Sequence, residues 1–173
     1  MARFVELRRH TDNEDDVLTE RGVFDAVHLG AGLTGVYSVI VSSGAHRATQ
    51  TAACLLAGHA TKVPGGVTVD TRLRSAQEGR WRVAVDAARS SRIDAILAVD
   101  RELVEEDGAA LGSGLRGIFA ILGHGEMALA IGHSPTNEAA VYSLTGEIIE
   151  PMAKGAGVVV VEDAGGFRVE RIR

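Results

Sequence analysis

The sequence predicts an α/β fold: a three-layer sandwich with a mainly parallel central sheet, helices on both faces and a C-terminal edge hairpin. Two observations support this prediction. Short apolar runs alternate with amphipathic stretches through most of the chain, which is typical of parallel strands joined by helices. The chain has 173 residues and no segment rich enough in proline or serine to be a linker, so we expect one domain, residues 1–173.

Short apolar runs are predicted to form the strands. Each is bounded by glycine, serine or charged residues, as expected for strands buried in a parallel sheet. The runs cover residues 39–41, 67–69, 127–131 and 158–161, with residues 4–7 as a further candidate. Residues 158–163 and 167–172 flank the turn Ala164-Gly165-Gly166, which predicts the closing antiparallel hairpin.

Helices are predicted between these strands from the spacing of apolar side chains. Thr19 is expected to cap a helix that carries Val23, Ala26 and Val27 on one face, and residues 47–58 have the same periodicity. The remaining candidates are residues 83–90, 115–122 and 137–143. The region 80–125 leaves room for a modest helical lid.

The composition argues against several classes of protein. The lone cysteine, Cys54, cannot form an internal disulfide, and no Cys/His spacing typical of a zinc ribbon occurs. Charged residues interrupt the N-terminus and no run approaches ~18 apolar residues, so we expect no signal peptide, no membrane partner and a cytoplasmic location. A net charge of −5, scattered along the chain, argues against nucleic acid as a partner.

The segment from Gly30 to Gly35 matches the Gly-x-Gly-x-x-Gly dinucleotide fingerprint, which functions only between a strand and the start of a helix. Here the predicted helix precedes the glycines and a strand follows them. No acidic residue occurs about 20 positions further on to hold a ribose. We therefore interpret the segment as the end of a helix followed by a flexible loop.

The acidic segment Asp12-Asn13-Glu14-Asp15-Asp16 carries side-chain oxygens of the kind that bind calcium. An EF-hand loop needs glycine at its sixth position and glutamate at its twelfth, whereas counting from Asp12 gives Val17 and Val23. We therefore expect a solvated acidic surface loop and no metal site.

Four polar residues follow predicted strands. Arg9 and His10 come after the first strand, Arg47 begins the helix after the next one, and His133 directly follows a later strand. Ligands of open α/β sheets bind outside the carboxyl ends of the strands, so one ligand could meet all four side chains. Two guanidiniums and two imidazoles suit a phosphoryl group, which one of the imidazoles could attack.

Each of these residues also has an ordinary structural explanation. A single histidine is more often structural than catalytic, and Arg47 could pair with an acid at the start of its helix. The argument for a functional site therefore depends on the four residues occurring together.

Four short motifs occur in order along most of the chain. They are Leu7-Arg8-Arg9-His10-Thr11, Leu18-Thr19-Glu20-Arg21-Gly22, Val41-Ser42-Ser43-Gly44-Ala45-His46-Arg47-Ala48-Thr49-Gln50-Thr51-Ala52 and Ile131-Gly132-His133-Ser134-Pro135. Together they resemble the motifs of the histidine phosphatase superfamily, also called the phosphoglycerate mutase-like fold, and the third is the most specific. In its size and in lacking a long inserted cap, the chain is similar to the small SixA-like members.

The resemblance implies that His10 is the nucleophile and becomes transiently phosphorylated, while Arg9, Arg47 and His133 hold the phosphoryl oxygens. Water then releases phosphate, and the arginines supply the positive charge that phosphoryl transfer needs. The scheme requires no metal and no cofactor. The partner it implies is a phosphorylated small molecule or a phosphoprotein.

The sequence departs from the family pattern at two informative positions. Thr11 stands where the family has glycine, and because a β-branched residue tolerates positive φ poorly, this implies either a different local backbone or a family position that does not require glycine. Ser75 stands where many members carry the glutamate that protonates the leaving group, and the nearest carboxylate is Glu78. Glu78 is a candidate acid, but it could also simply pair with Arg74 or Arg82 on the surface.

The predicted function is a metal-independent phosphohydrolase that acts through His10 on a phosphomonoester or a protein phosphohistidine. Without a general acid, a phosphohistidine or acyl phosphate would suit better than a sugar phosphate, because its leaving group needs little protonation. Two alternatives are a phospho-ligand binding module without catalysis and, ranked lowest, a phosphoglycerate mutase-type phosphotransferase. The short chain favours an open site, and the oligomeric state is not predicted.

Overall fold

The computed structural model describes residues 2–172, which contain eight strands and six helices. The strands are β1 (Arg3–Arg9), β2 (Asn13–Glu14), β3 (Val17–Leu18), β4 (Tyr37–Ser42), β5 (Val67–Val69), β6 (Met127–Gly132), β7 (Gly157–Asp163) and β8 (Gly166–Arg171). The helices are α1 (Glu20–Gly32), α2 (His46–His59), α3 (Glu78–Ala88), α4 (Ile93–Val99), α5 (Arg101–Ile121) and α6 (Thr136–Thr145), with a short 3-10 turn over Thr71–Leu73.

Six of these strands form one sheet in the order β5-β4-β6-β1-β7-β8. The first four are parallel, because β4 pairs in parallel with β5 and β6, and β6 pairs in parallel with β1. Strands β7 and β8 are antiparallel and close the sheet at the β1 side as the predicted hairpin. The predicted α/β fold class is therefore confirmed.

Helices cover both faces of the sheet and bury it between two apolar layers. On one face Ile40 of β4 packs with Leu55 of α2, and on the other Leu7 of β1 packs with Leu115 of α5. A smaller apolar cluster joins α3 and α4 to the start of α5, with Trp81 among its buried members. This third cluster fixes α3 and α4 beside the carboxyl ends of the parallel strands.

The helices after β5 differ most from the prediction. Helix α5 runs over Arg101–Ile121, where only residues 115–122 were predicted, and α3 begins at Glu78 rather than at residue 83. Glycines at positions 108, 112, 114 and 117 weaken the helical signal of α5. Helix α4 was not predicted, since seven residues are too few for a clear periodicity. Within residues 2–172, no helix combines the length and the apolar character needed to cross a bilayer.

The start of α1 shows why the sequence carries a Thr-x-x-Gly pattern there. Thr19 caps the helix by accepting a hydrogen bond from the Gly22 amide at 3.0 Å, and its hydroxyl donates to the Asp12 carboxylate at 2.8 Å. The Asp12 carbonyl oxygen would lie 1.9 Å from a Cβ atom at position 22. Only glycine lets the loop after β1 pack this closely on the helix. At its other end α1 finishes at Gly32 and β4 follows, which confirms that the Gly-x-Gly-x-x-Gly segment lies at the end of a helix and before a strand.

We expect Gly22→Ala to lower the free energy of unfolding by about 2–3 kcal/mol, because the new methyl group must displace backbone. Gly32→Ala is the matched control, since a Cβ there meets no atom within 4 Å in the described residues. That control should change stability by no more than about 1 kcal/mol, in the stabilising direction. Urea denaturation of both variants measures the difference, and equal stability of the two would contradict the packing argument.

Candidate active site

Three neighbouring parallel strands end side by side and bring the predicted site residues together. Arg9, the last residue of β1, is paired with Gly132, the last residue of β6. The amide of His10 donates to the Gly132 carbonyl at 3.1 Å, and the amide of Ser43 donates to the Ile131 carbonyl at 3.1 Å. His10, Ser43 and the residue after Gly132 are therefore each placed one step beyond a strand, at the same edge of the sheet.

The His10 side chain is held as a neutral imidazole with a defined tautomer. Its Nδ1 donates to the Thr11 carbonyl at 2.8 Å, since a carbonyl oxygen can only accept, and the lone pair is therefore on Nε2. Burial, opposed by the Thr11 hydrogen bond and reinforced by the charges of Arg47, Arg9 and Lys154, lowers the pKa of His10 to about 4. A neutral imidazole with a free Nε2 lone pair is a nucleophile.

His133 lies next to His10, with ring centroids 5.3 Å apart, and is fixed by bonds at both of its nitrogens. Arg47 Nη2 donates to Nδ1 at 3.2 Å, so the ring proton is on Nε2, which donates to Ser43 Oγ at 2.7 Å. Burial, followed by the charge of Arg47, lowers the pKa of His133 to about 3. The ring is therefore neutral and held in one orientation.

Arg47 has a second partner that the sequence did not identify as part of the site. Its Nη1 donates to Asp16 Oδ1 at 2.7 Å, and Asp16 also accepts from the His46 amide at 3.3 Å. The acidic loop is therefore not a purely solvated surface loop, because one of its carboxylates contacts a candidate phosphate-binding residue. Lys154, which donates to Asp12 and Asn13, occupies other oxygens of the loop.

Arg9 is fixed through the backbone of Met152, in the loop between α6 and β7. Its Nη1 donates to the Met152 carbonyl at 3.0 Å, while the Met152 amide donates to Glu138 Oε1 at 2.6 Å. Ser134 Oγ donates to the same oxygen at 2.6 Å. Burial lowers the pKa of Arg9, opposed by the nearby charge of Glu138, and burial raises the pKa of Glu138 itself. These contacts through Met152, Glu138 and Ser134 hold the Arg9 guanidinium in place.

Thr11 lies in a backbone conformation that a β-branched residue adopts readily. Among the described non-glycine residues only Asp15, Ala60 and Arg89 have positive φ, so Thr11 is in an ordinary conformation. Its hydroxyl donates to the Gly22 carbonyl at 2.8 Å. Thr11 thus ties the segment after the candidate nucleophile to α1.

The candidate acid Glu78 and the residue Ser75 have different environments. Glu78 accepts a hydrogen bond from Arg74 Nε at 2.6 Å and its side chain is 41% exposed. Ser75 is buried, and its hydroxyl donates to Asp107 Oδ2 at 2.6 Å. Trp81 Nε1 donates to the same oxygen at 2.6 Å, so Asp107 anchors both residues to α5.

A cavity of about 380 Å³ opens beside these groups. Arg9, Arg47 and His133 line one part of it, and Glu78 borders it from the first turn of α3. His10 is buried, 5% exposed, and is adjacent to this lining through its contact with His133. Helix α3 therefore supplies a wall to the site, and most of it lies in the region where the sequence left room for a modest helical lid.

The titration of His10 provides a direct test of this electrostatic environment. We expect its imidazole to remain neutral as the pH falls through 6.5 and to gain a proton only near pH 4, because burial and three nearby cations disfavour the charged form. NMR of histidine-labelled protein, with the signal assigned by its loss in His10→Ala, measures this pKa. A midpoint at or above 6.5 would contradict the described environment.

Comparisons with known proteins identify the family. The model of the histidine phosphatase superfamily (branch 1) matches residues 4–110, which is more than half of the chain. The protein belongs to the histidine phosphatase superfamily. The matched region contains Arg9, His10, Arg47 and Glu78, whereas His133 lies beyond it. A search of curated protein sequences finds no significant match.

Solved structures with this superfamily fold include phosphatases and a mutase. Phosphoglycerate mutase from Bacillus anthracis str. Sterne has a TM-score of 0.69 at 16% identity, over 99% of this chain and 92% of that one. The mycobacterial glucosyl-3-phosphoglycerate phosphatase gives 0.68 at 18% identity, over 99% and 98%. The protein histidine phosphatase SixA, solved with tungstate, gives 0.58 at 19% identity, over 98% and 94%. At these identities the likeness establishes the fold alone.

Proposed function

We propose that the protein is a phosphohydrolase that transfers the phosphoryl group of its substrate to His10 and then to water. The observation that carries this proposal is the neutral His10 ring with its Nε2 lone pair available, next to the guanidiniums of Arg9 and Arg47. These guanidiniums and the Nε2–H of His133 would bind the phosphoryl oxygens, with Arg47 exchanging Asp16 and His133 exchanging Ser43 for the ligand. The lone cysteine supports a cytoplasmic location as part of this proposal.

The reaction proceeds in two balanced steps. In the first, His10 Nε2 attacks phosphorus, the new N–P bond forms, the bond from phosphorus to the leaving oxygen breaks, and an acid protonates that oxygen. In the second, water attacks phosphorus and gives a proton to the acid that was deprotonated in the first step. The N–P bond then breaks and inorganic phosphate is released. Phosphoryl transfer depends mainly on positioning and on charge stabilisation, which the two arginines supply without a metal or cofactor.

We assign the acid to Glu78, which borders the cavity from the first turn of α3. Its partner Arg74 is half-exposed, so the carboxyl group can exchange this contact for the leaving oxygen of a bound substrate. The substrate class is a phosphomonoester, as the names of the phosphoglycerate mutase and the glucosyl-3-phosphoglycerate phosphatase with this fold suggest. A protein phosphohistidine is the second candidate substrate, as the name of the protein histidine phosphatase SixA suggests.

A substrate panel tests the proposal together with the role of Glu78. Wild-type protein in chelator should hydrolyse both an alkyl phosphate and 4-nitrophenyl phosphate. Glu78→Gln should slow the alkyl ester at least about 10²-fold and leave the nitrophenyl ester within about fivefold, because only the poor leaving group needs a proton. Glu102→Gln, an exposed carboxylate on α5 paired with Arg80, is the control.

The outcomes separate the alternatives. An unchanged alkyl rate in Glu78→Gln would remove Glu78 from the mechanism and favour a leaving group that needs no proton, such as phosphohistidine. Vanadate binding without turnover of any ester would instead identify a binding module. Phosphoryl transfer to an alcohol acceptor in place of water would indicate a mutase-type phosphotransferase.

A further inference from the structure

Asn137, in the first turn of α6, is a buried amide that the proposed mechanism does not use. It is 4% exposed, and its side chain bridges the ends of two parallel strands. Its Oδ1 accepts a hydrogen bond from the His133 amide at 3.2 Å, just beyond β6. Its Nδ2 donates to the carbonyl of Arg8, in β1, at 3.1 Å. One side chain therefore bonds the backbone at His133 and the backbone that leads directly into Arg9.

The same amide also contacts the loop that holds the Arg9 guanidinium. Asn137 Nδ2 lies 3.6 Å from Met152 Sδ, so its second hydrogen has the thioether as a weak acceptor. The Met152 carbonyl in turn accepts from Arg9 Nη1 at 3.0 Å. Asn137 is therefore connected to Arg9 by two routes, through the backbone of Arg8 and through Met152.

Only an amide side chain satisfies this set of partners. The His133 N–H group can only donate and the Arg8 carbonyl can only accept, which settles the orientation of the Asn137 amide. Aspartate has no donor for the Arg8 carbonyl when ionised, and an apolar side chain has neither donor nor acceptor. Because the position is buried, the backbone groups left without a partner could not turn to water.

Gly132, the last residue of β6, provides the space that this amide occupies. A Cβ atom at position 132 would lie 2.2 Å from Asn137 Oδ1, and its next nearest atoms, at 3.1 and 3.4 Å, also belong to Asn137. The Gly132 carbonyl accepts from the His10 amide at 3.1 Å. The Asn137 side chain therefore packs directly against the backbone that holds His10.

We propose that Asn137 is a positioning residue for the phosphoryl transfer: it fixes the ends of β1 and β6, which carry His10 and His133. This inference rests on the proposed function and adds to it a residue that touches neither the substrate nor the reacting atoms. Asn137 acts through the backbone that carries the site residues. A displacement of about 1 Å between reacting groups can lower a rate by about 10²-fold, so such a residue has a large expected effect.

Asn137→Ala tests the inference with 4-nitrophenyl phosphate as the substrate. We expect kcat to fall by about 10²-fold and KM to change by less than about fivefold, because the alignment of His10 matters most in the transition state. Val141→Ala is the matched control, since Val141 is fully buried in the apolar core on the same helix. It should lose stability and keep kcat within about twofold. Equal kcat values for the two folded variants would overturn the inference.

A second variant tests the same contact from the other side. Gly132→Ala should lower kcat by a similar factor, because its methyl group must displace the Asn137 amide. The double variant Gly132→Ala/Asn137→Ala should be no slower than Asn137→Ala alone, since the smaller side chain at position 137 makes room for the methyl group. Thermal unfolding shows whether each variant is folded at the assay temperature. A double variant whose loss is the product of the two single losses would contradict the proposal.

Anion binding provides a readout that does not depend on turnover. Vanadate can adopt the five-coordinate geometry of phosphoryl transfer, whereas inorganic phosphate resembles the ground state. In Asn137→Ala, calorimetry should show a Kd for vanadate that is higher by about 10²-fold and a Kd for phosphate that changes by less than about fivefold. Val141→Ala should change neither, and equal changes for both anions in Asn137→Ala would overturn the inference.

The two readouts separate this inference from the proposed function. Wild-type protein that binds vanadate without turnover, together with weaker vanadate binding by Asn137→Ala, would reject the hydrolysis and leave the positioning role standing. Wild-type turnover, together with unchanged vanadate affinity in Asn137→Ala, would reject the positioning role and leave the hydrolysis standing.

Discussion

His10→Ala should lower kcat for a phosphomonoester by at least about 10⁴-fold, since removal of a nucleophile costs far more than removal of a binding contact. Alanine has no atom that can form the N–P bond, and no other imidazole in the site can replace it. His133 carries its proton on Nε2, and the lone pair on its Nδ1 accepts a hydrogen bond from Arg47. Steady-state release of inorganic phosphate, measured in chelator, checks the prediction.

A control must show that the loss comes from chemistry rather than from misfolding. His28 is exposed on α1 and stacks on Phe24, away from the strand ends. His28→Ala should retain full activity, and thermal unfolding should show that both variants remain folded. Substantial turnover by a folded His10→Ala protein would rule out the proposed role of His10.

The largest expected effect on stability comes from a buried ion pair in β1. Arg8 Nε donates to Glu6 Oε1 at 2.5 Å, the Tyr37 hydroxyl donates to Glu6 Oε2 at 2.6 Å, and both charged residues are about 95% buried. Arg8 Nη1 also donates to the carbonyl of Gly155 at 2.8 Å. The Gly155 amide in turn donates to the carbonyls of Arg9 and His10, so the pair supports the backbone of the site.

Arg8→Met should lower the free energy of unfolding by about 3–5 kcal/mol, because it leaves the Glu6 carboxylate buried without a counter-charge. The double variant Glu6→Gln/Arg8→Met should recover much of this loss, since no unpaired charge remains. Arg3→Met removes a half-exposed pair with Glu162 and should cost no more than about 1 kcal/mol. Denaturant unfolding of the three variants checks these values, and a double variant as unstable as Arg8→Met would contradict the charge-burial explanation.

The sequence predicted the convergence of the site because it depends on local patterns and one topological rule. Arg9 and His10 follow one apolar run and His133 follows another. Parallel strands in an α/β sheet place such residues at the same edge. In the structure Arg9 pairs with Gly132, so the residues that follow these two strands lie next to each other. The sheet was predictable because buried strands have a strong apolar signal. The hairpin was predictable from its turn, Ala164-Gly165-Gly166, since the strand β8 that follows it is not buried.

The contacts that refine the site were not predictable, because they join residues far apart in sequence. Asp16 was interpreted as part of a solvated loop, yet it contacts Arg47, which is 31 positions away. The Arg9 contact with the Met152 carbonyl spans 143 positions, and nothing in the loop sequence around Met152 indicates it. Ser43 could have been identified, since it lies inside the most specific motif, one residue beyond β4.

The net charge of the chain did not predict the positive charge of the site. A net charge of −5 argues against anionic partners only if the charges are spread evenly. Arg9, Arg47 and Arg82 instead line one cavity, where their positive charges and hydrogen-bond donors are concentrated. The acidic residues largely pair with other arginines and with Lys154, as Asp12 does. Local arrangement, and not net charge, determines what this site can bind.

The most direct test of the central claim is to trap the covalent intermediate. Wild-type protein is mixed rapidly with a phosphomonoester, quenched in alkali to preserve an N–P bond, digested and examined by mass spectrometry. We predict one phosphate on the peptide that contains His10, present during turnover and absent from the His10→Ala protein. Phosphate release in full, with no phosphorylated His10 at any time during the first turnover, would contradict the account.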